Sequence, residues 1–268
     1  MKRSVLLLSI LVLITTFAYA GGQTETISDD WAYIQDKGEL IVGITIFPPM
    51  NYYDDNGNLI GFETEFTEAV CEKLGVTPQF VEINWDTKEI ELASQNIDAI
   101  WNGMTVTPER AEKVLFSSPY IRNMQVTVVR KANLTDFTSK EDLTGKNIAA
   151  EVGSAGEDAA QNQVKDASVI SVAKQTDALL EVKAGTVDAA ILDYTLAVAM
   201  TGEKGDYADL AIAGEDLYFA IEEYAVAFRL DSSIVPLVNK AIDELAKDGT
   251  LQRIAEKYDL ENQLLINQ

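Results

Sequence analysis

The residues Thr105-Val106-Thr107-Pro108-Glu109-Arg110 carry the plainest chemistry in this chain. Thr107 has the hydroxyl of an N-cap, Pro108 suits the first helical position and Glu109 an acidic first turn, so Arg110 falls at a helix start. Exposed N–H groups and the positive dipole end favour an anion there, and a planar guanidinium can grip a carboxylate through two parallel bonds. A capped helix carrying a solvated arginine reads the same way. Gly153-Ser154-Ala155-Gly156-Glu157-Asp158 is a second small-residue turn into a helix, where a ligand carboxylate can approach backbone N–H groups. A plain strand-to-helix loop fits it equally well. Asp193, at the tip of a strand-like run, is costly to bury unless an ammonium group meets it, or else it caps the helical stretch Thr195 to Met200. Phe47 and Trp85 lie just beyond or between strand-like segments, as ligand walls or as core. Together these make an anion clamp, a cation acceptor and aromatic walls, a set that matches a zwitterion.

Composition narrows the rest. The chain has no histidine and one cysteine, so it lacks the usual ligands for zinc or copper and most nucleophile-base pairs. No metal site, catalytic residue or cofactor is expected, and no glycine-lysine phosphate loop is present. The 43 acidic residues against 21 basic ones give a net charge of −22, which argues against nucleic acid or an anionic membrane surface as partner. Cys71 lies on the apolar face of a predicted helix and reads as a buried, inert thiol. Lys2-Arg3, the apolar run Val5 to Phe17 and Ala18-Tyr19-Ala20 form a cleavable signal peptide over residues 1–20. The leader holds two basic residues and no acid, so the mature chain is two charges more negative. Gly21-Gly22-Gln23 offers no lipid-anchor cysteine, so the expectation is a freely diffusing protein.

The elements that must position these residues alternate between strand and helix, the pattern of layered α/β architecture. Leu40-Ile41-Val42-Gly43-Ile44 predicts a first buried strand that ends at Phe47-Pro48-Pro49. Residues 51–61 predict a hairpin turned at Asp54-Asp55-Asn56-Gly57. Phe62, Phe66, Ala69, Val70 and Leu74 recur at helical spacing, with Gly75 as the stop. Two later segments share a plan. Lys88 to Ala93 leads into Ile97-Asp98-Ala99-Ile100-Trp101 and a polar tip at Asn102-Gly103; Asp177 to Lys183 leads into Val187-Asp188-Ala189-Ala190-Ile191-Leu192 and Asp193. Equivalent units in two similar lobes place Asn102, Gly103 and Asp193 beyond the carboxyl ends of strands, where open α/β sheets bind ligands. Gln125 to Arg130 and Tyr224 to Arg229 are β-like and predict two crossing strands. The first lobe is then 24–124 plus 225–268, with the second, 125–224, inserted.

These motifs, in this order, resemble the polar amino-acid-binding receptors of ABC transporters, the solute-binding family that includes histidine, glutamine and cystine receptors. The resemblance runs through Gly38-Glu39-Leu40-Ile41-Val42-Gly43, Phe47-Pro48-Pro49-Met50, Asn56 to Phe62, Asn84-Trp85-Asp86, Ile97 to Arg110 and Phe116-Ser117-Ser118-Pro119-Tyr120. It continues in Leu143-Thr144-Gly145-Lys146, Gly153-Ser154, Val187-Asp188-Ala189 with Asp193, and Asp248-Gly249-Thr250-Leu251. It implies a type II periplasmic-binding-protein fold, two α/β lobes joined by two hinge strands, with an amino acid enclosed between them. Arg110 would hold the α-carboxylate, helped by Thr105 and the Ser154-Ala155-Gly156 turn. Asp193 and the Gly103 carbonyl would take the α-ammonium, and Phe47, Trp85 and Asn102 would line the side-chain pocket. The implied protein is a periplasmic monomer that delivers a free amino acid to membrane permease subunits. Many relatives carry an acidic residue where this chain has Ile44-Thr45-Ile46, which points to a neutral or polar amino acid. Two alternatives stand beside this: a dehydratase-like periplasmic enzyme on the same fold, and a soluble amino-acid sensor for a signalling receptor.

Overall fold

A computed structural model describes residues 29–203 and 205–265; the expected signal peptide lies outside the described residues. Gly38 and Gly75 each take a left-handed conformation and end the first two helices; the stop at Gly75 is the expected one, while the helix before Gly38 is not among the elements expected from the sequence. In chain order the elements begin with α1 (Asp30–Lys37), β1 (Glu39–Ile44), the hairpin β2 (Tyr52–Tyr53) and β3 (Leu59–Ile60), then α2 (Phe62–Leu74). Next come β4 (Thr77–Glu82), α3 (Lys88–Ala93), β5 (Ala99–Ile100), α4 (Pro108–Ala111), β6 (Leu115–Phe116) and β7 (Ile121–Arg130). The chain continues through β8 (Asn147–Glu151), α5 (Ala155–Gln163), β9 (Ser168–Val172), α6 (Gln175–Ala184), β10 (Ala189–Asp193) and α7 (Tyr194–Thr201). It closes with β11 (Leu210–Ile212), β12 (Tyr218–Tyr224), β13 (Ala227–Phe228), α8 (Val235–Lys247) and α9 (Thr250–Lys257).

Two main sheets form. The first has strand order β4-β1-β5-β13-β6 and the second β11-β7-β10-β8-β9, with β12 also paired to β7. In the first, β4, β1 and β5 run parallel; in the second, β10, β8 and β9 do. The central strands β1 and β10 are covered on both faces, which is why they read as continuous apolar runs, whereas the edge strands β4 and β9 are partly exposed. The fold is therefore the two-lobed α/β architecture expected from the alternating pattern. The crossing strands differ in detail. Ile121 to Met124 already pairs with Ile221 to Tyr224, so β7 begins four residues before Gln125. The run Tyr224 to Arg229 is not one strand: Tyr224 ends β12, and β13 pairs into the first sheet beside β5 and β6.

The two helix-strand units predicted to correspond do so atom for atom at their entrance. Asp98 donates its N–H to the Ile41 carbonyl and accepts the Ile41 N–H at 2.9 Å. Asp188 does the same with Asn147, again at 2.9 Å. Asp98 thus ties β5 to β1, and Asp188 ties β10 to β8.

Asp98 also anchors a buried ion network. Its carboxylate meets Lys37 at 2.6 Å and Arg229 at 3.0 Å, and Arg229 reaches Asp30 at 2.7 Å. The same guanidinium donates to the Ile97 carbonyl at 2.6 Å. This ties α1, β5 and the segment after β13 together. Removing one partner of a buried network strands the others' charges in a poor solvent. Asp98→Ala is expected to lower unfolding free energy by about 3 to 5 kcal/mol in urea denaturation, whereas the surface pair Lys113–Glu109 contributes about 0.5 kcal/mol or less.

Candidate functional site

Between the two sheets lies a narrow cavity of about 10 Å³, lined by Phe47, Trp85, Asn102, Gly103, Thr105 and Arg110 from one side and Glu151, Ser154, Ala155, Gln175 and Asp193 from the other. Nine of the ten residues named from the sequence border it. Gly156 does not. A Cβ there would stand 2.6 Å from the Ile191 carbonyl oxygen and 2.9 Å from Gln125 Oε1, so its role is to let α5 pack against β10.

Arg110 comes from α4 as expected, with Thr107 Oγ1 accepting its N–H at 3.1 Å. That helix has only four residues, too few to sum a sizeable dipole, so the guanidinium itself carries the anion-binding charge. Arg110 is 9% exposed and donates from one terminal nitrogen to the Thr105 carbonyl at 3.0 Å. The other donates to the Gly153 carbonyl of the opposite lobe at 3.1 Å. Ser154 caps α5 by accepting the Glu157 N–H at 3.0 Å. Gly153 takes φ +70, which turns its carbonyl toward the first lobe.

Asp193 is not a helix cap, for its side chain makes no cap bond to α7. Four donors converge on its carboxylate instead: Asn123 at 2.5 Å, Gln125 at 2.9 Å, Tyr224 at 2.6 Å and Gln175. Burial still pushes its pKa above the ordinary carboxylate range, with those four bonds pulling it back. The result is a fixed, dehydrated carboxylate at the end of β10.

Asn102 borders the cavity, yet its amide is spent internally. It donates to Thr45 Oγ1 at 2.7 Å and accepts from the Thr45 N–H and from Asn51. It therefore shapes the wall rather than offering a free polar group. Gly103 sits at φ +58, and a Cβ would come 2.6 Å from the Phe47 ring. Its N–H donates to Glu63 at 2.9 Å, leaving its carbonyl unengaged by that bond.

Three groups escaped the sequence reading. Glu63, fully buried at the start of α2, collects Gly103 N–H, Asn51 and Tyr120 and so holds the Asn102-Gly103 tip. Nothing in the spacing of an acidic residue within a helix's first turn distinguishes it from a dipole partner. Lys88 is 3% exposed; its ammonium lies 4.7 Å from the Trp85 ring centroid and donates to the Trp85 and Gly153 carbonyls, each at 3.1 Å. Burial, then the neighbouring Arg110 charge, bring its pKa down to about 8. Glu151, the last residue of β8, faces the cavity with its carboxyl raised by burial to about 8.

The pattern of bacterial extracellular solute-binding proteins, family 3, matches residues 40–261. The L-cystine-binding protein TcyJ of Escherichia coli strain K12 is 31% identical over 227 residues, covering 84% of each chain. A Streptococcus pneumoniae ABC uptake transporter substrate-binding protein with bound histidine superposes with TM-score 0.78 at 32% identity, covering 86% of this chain and 96% of that one. An ancestral amino acid-binding protein, described as a precursor of cyclohexadienyl dehydratase, superposes with TM-score 0.77 at 30% identity, covering 85% and 98%.

Glu63 is raised to about 7 because burial outweighs its three hydrogen-bond donors. A carboxyl raised on folding contributes stability that is fully present below its unfolded pKa and is lost as pH rises through the folded value. Between pH 5 and 8 the parent should therefore lose about 2 to 3 kcal/mol through this residue. Urea denaturation of Glu63→Gln across that range should show a correspondingly flatter decline.

Proposed function

Because the chain belongs to family 3 of the bacterial extracellular solute-binding proteins, we propose that it captures a free L-amino acid between its lobes and delivers it to the membrane permease of an ABC importer. The observation that carries this reading is that Arg110, from α4, and Asp193, at the end of β10, border one narrow cavity. A zwitterion with its carboxylate on Arg110 and its ammonium at Asp193 bridges the lobes, and the shut state gains both contacts. The open state keeps at most one of them. A ligand shifts such an equilibrium only by its differential affinity for the two states. Thr105, the Gly103 carbonyl and the Ser154-Ala155 turn complete the polar frame, while Phe47 and Trp85 supply apolar walls.

The lobes divide near the chain positions where β7 and β12 cross, with 24–124 and 225–268 forming one and 125–224 the other. The protein acts as a monomer in the periplasm, with no part for nucleic acid. The dehydratase-like alternative draws on one observation: Glu151 is a cavity carboxyl poised near pH 8, and a general acid or base needs such tuning. Product analysis during ligand incubation separates the two readings.

Saturating ligand stabilises a protein that binds it only when folded, by about 4 kcal/mol at a thousandfold excess over Kd. A thermal-shift screen against the free amino acids is expected to find at least one that raises Tm at millimolar concentration. Arg110→Ala and Asp193→Asn should each abolish that rise while the unliganded chain still melts cooperatively. Retained ligand response in both variants would refute the assigned clamp, and appearance of a new product would favour an enzyme.

A further inference from the structure

We infer that Glu151 selects ligands carrying a second positive charge, beyond the α-ammonium, at the side-chain end; this deepens the proposed amino-acid capture and rests on it. The ionisable groups lining the cavity are one guanidinium, Arg110, and two carboxylates, Asp193 and Glu151. An amino acid's own two charges answer Arg110 and Asp193. Glu151 is left over. It is 4% exposed and ends β8, on the same lobe as Asp193 but on a different strand.

The two carboxylates differ in how they are met. Asp193 is already ringed by four donors. For Glu151, side-chain hydrogen bonding comes from Gln175, although a carboxylate offers about four acceptor sites. Lys88 acts on it electrostatically, yet that ammonium is engaged by the Trp85 and Gly153 carbonyls and by Glu89 at 3.5 Å. Spare acceptor capacity on a buried carboxyl that faces a cavity asks for a donor from the ligand, and a cationic donor makes the stronger bond.

The absence of an acid in Ile44-Thr45-Ile46 concerns the first lobe only; Glu151 supplies a carboxylate from the second. The groups acting on it are Asp193 from β10, Asp177 from α6 and Lys88 from α3, with Gln175 as hydrogen-bond donor. Burial and the two aspartates raise its carboxyl to about 8, against the pull of Gln175 and Lys88. At pH 7 it thus largely holds a proton in the shut, unliganded cavity. A ligand cation beside it favours the ionised form and drives that proton off, whereas a neutral side chain does not.

Calorimetric titration of the mature chain at pH 7 with arginine and lysine, against their neutral counterparts citrulline and norleucine and against glutamine, tests this. The tightest binder is expected to carry the second cation and to exceed its shape-matched neutral counterpart at least about tenfold. Its binding should release up to about one proton, read from buffers of differing ionisation heat. Glu151→Gln should weaken the cationic ligand at least about tenfold and leave neutral ligands within about threefold, with the melting of the unliganded variant checking its fold. A neutral amino acid as tightest binder, or undiminished preference for the cation in Glu151→Gln, overturns the role of Glu151 and leaves amino-acid capture standing. If no amino acid binds at all, the capture reading fails and this inference with it.

Discussion

A charge shut away from water must be met by donors or by an opposite charge, and the placing of Asp193 at the end of β10 imposes that demand on everything around it. Asn123 and Gln125 answer from β7, Tyr224 from β12 and Gln175 from α6. The two strands that cross between the lobes therefore both contribute donors to one carboxylate. Their polar residues are buried where an ordinary strand would carry apolar ones, and the lobe junction is built around a charge as well as around a core.

The first lobe solves the same problem in a different place. Glu63 accepts from Gly103, Asn51 and Tyr120, while Asn51 also donates to the Trp101 carbonyl and to Asn102. This network fixes the tip after β5, the counterpart of the tip that carries Asp193. The aromatic packing behind it is tight, with Phe66 edge-on to Trp101 at 5.0 Å and to Tyr120 at 5.2 Å. A rigid tip on one lobe and a fixed carboxylate on the other leave little freedom for the walls to adapt, so in the proposed capture selectivity falls to the groups that face the cavity with bonding capacity to spare.

Much of this was legible in the residues, and the divisions have physical causes. The helix end at Gly75, the hairpin at Asp54 to Gly57 and the Thr107 cap are local events, decided within a few residues, and they stand where their letters place them. The correspondence of Asp98 with Asp188 was visible because a strand entrance repeats its hydrogen bonds whenever its neighbour is the same. Glu63, Lys88 and Glu151 were opaque for the opposite reason. Each is held in part by residues distant in the chain, Gly103 for Glu63, Gly153 for Lys88 and Gln175 for Glu151, and an acidic or basic letter in an acidic chain gives no hint of that. Asn102 stands at the tip and borders the cavity, but the use of its amide by Thr45 and Asn51 could not be read from its letter.

The contacts across the shut cleft explain why closure can wait for a ligand. Lys88 and Arg110 both donate to the single Gly153 carbonyl, and Lys174 pairs with Glu82 at the exposed rim at 2.7 Å. A carbonyl shared by two cations, each already partnered on its own lobe, gains little from the second, and a rim pair contributes about 1 kcal/mol at most. Against this stands the cost of drying Asp193, Glu151 and Arg110 together, which grows as water leaves. The shut state of the protein alone is thus held by weak latches against a desolvation penalty. In the proposed capture, a solute that neutralises those groups from within removes the penalty and adds charge-assisted bonds, so that the residues that make the empty cleft reluctant to close would hold the filled one closed.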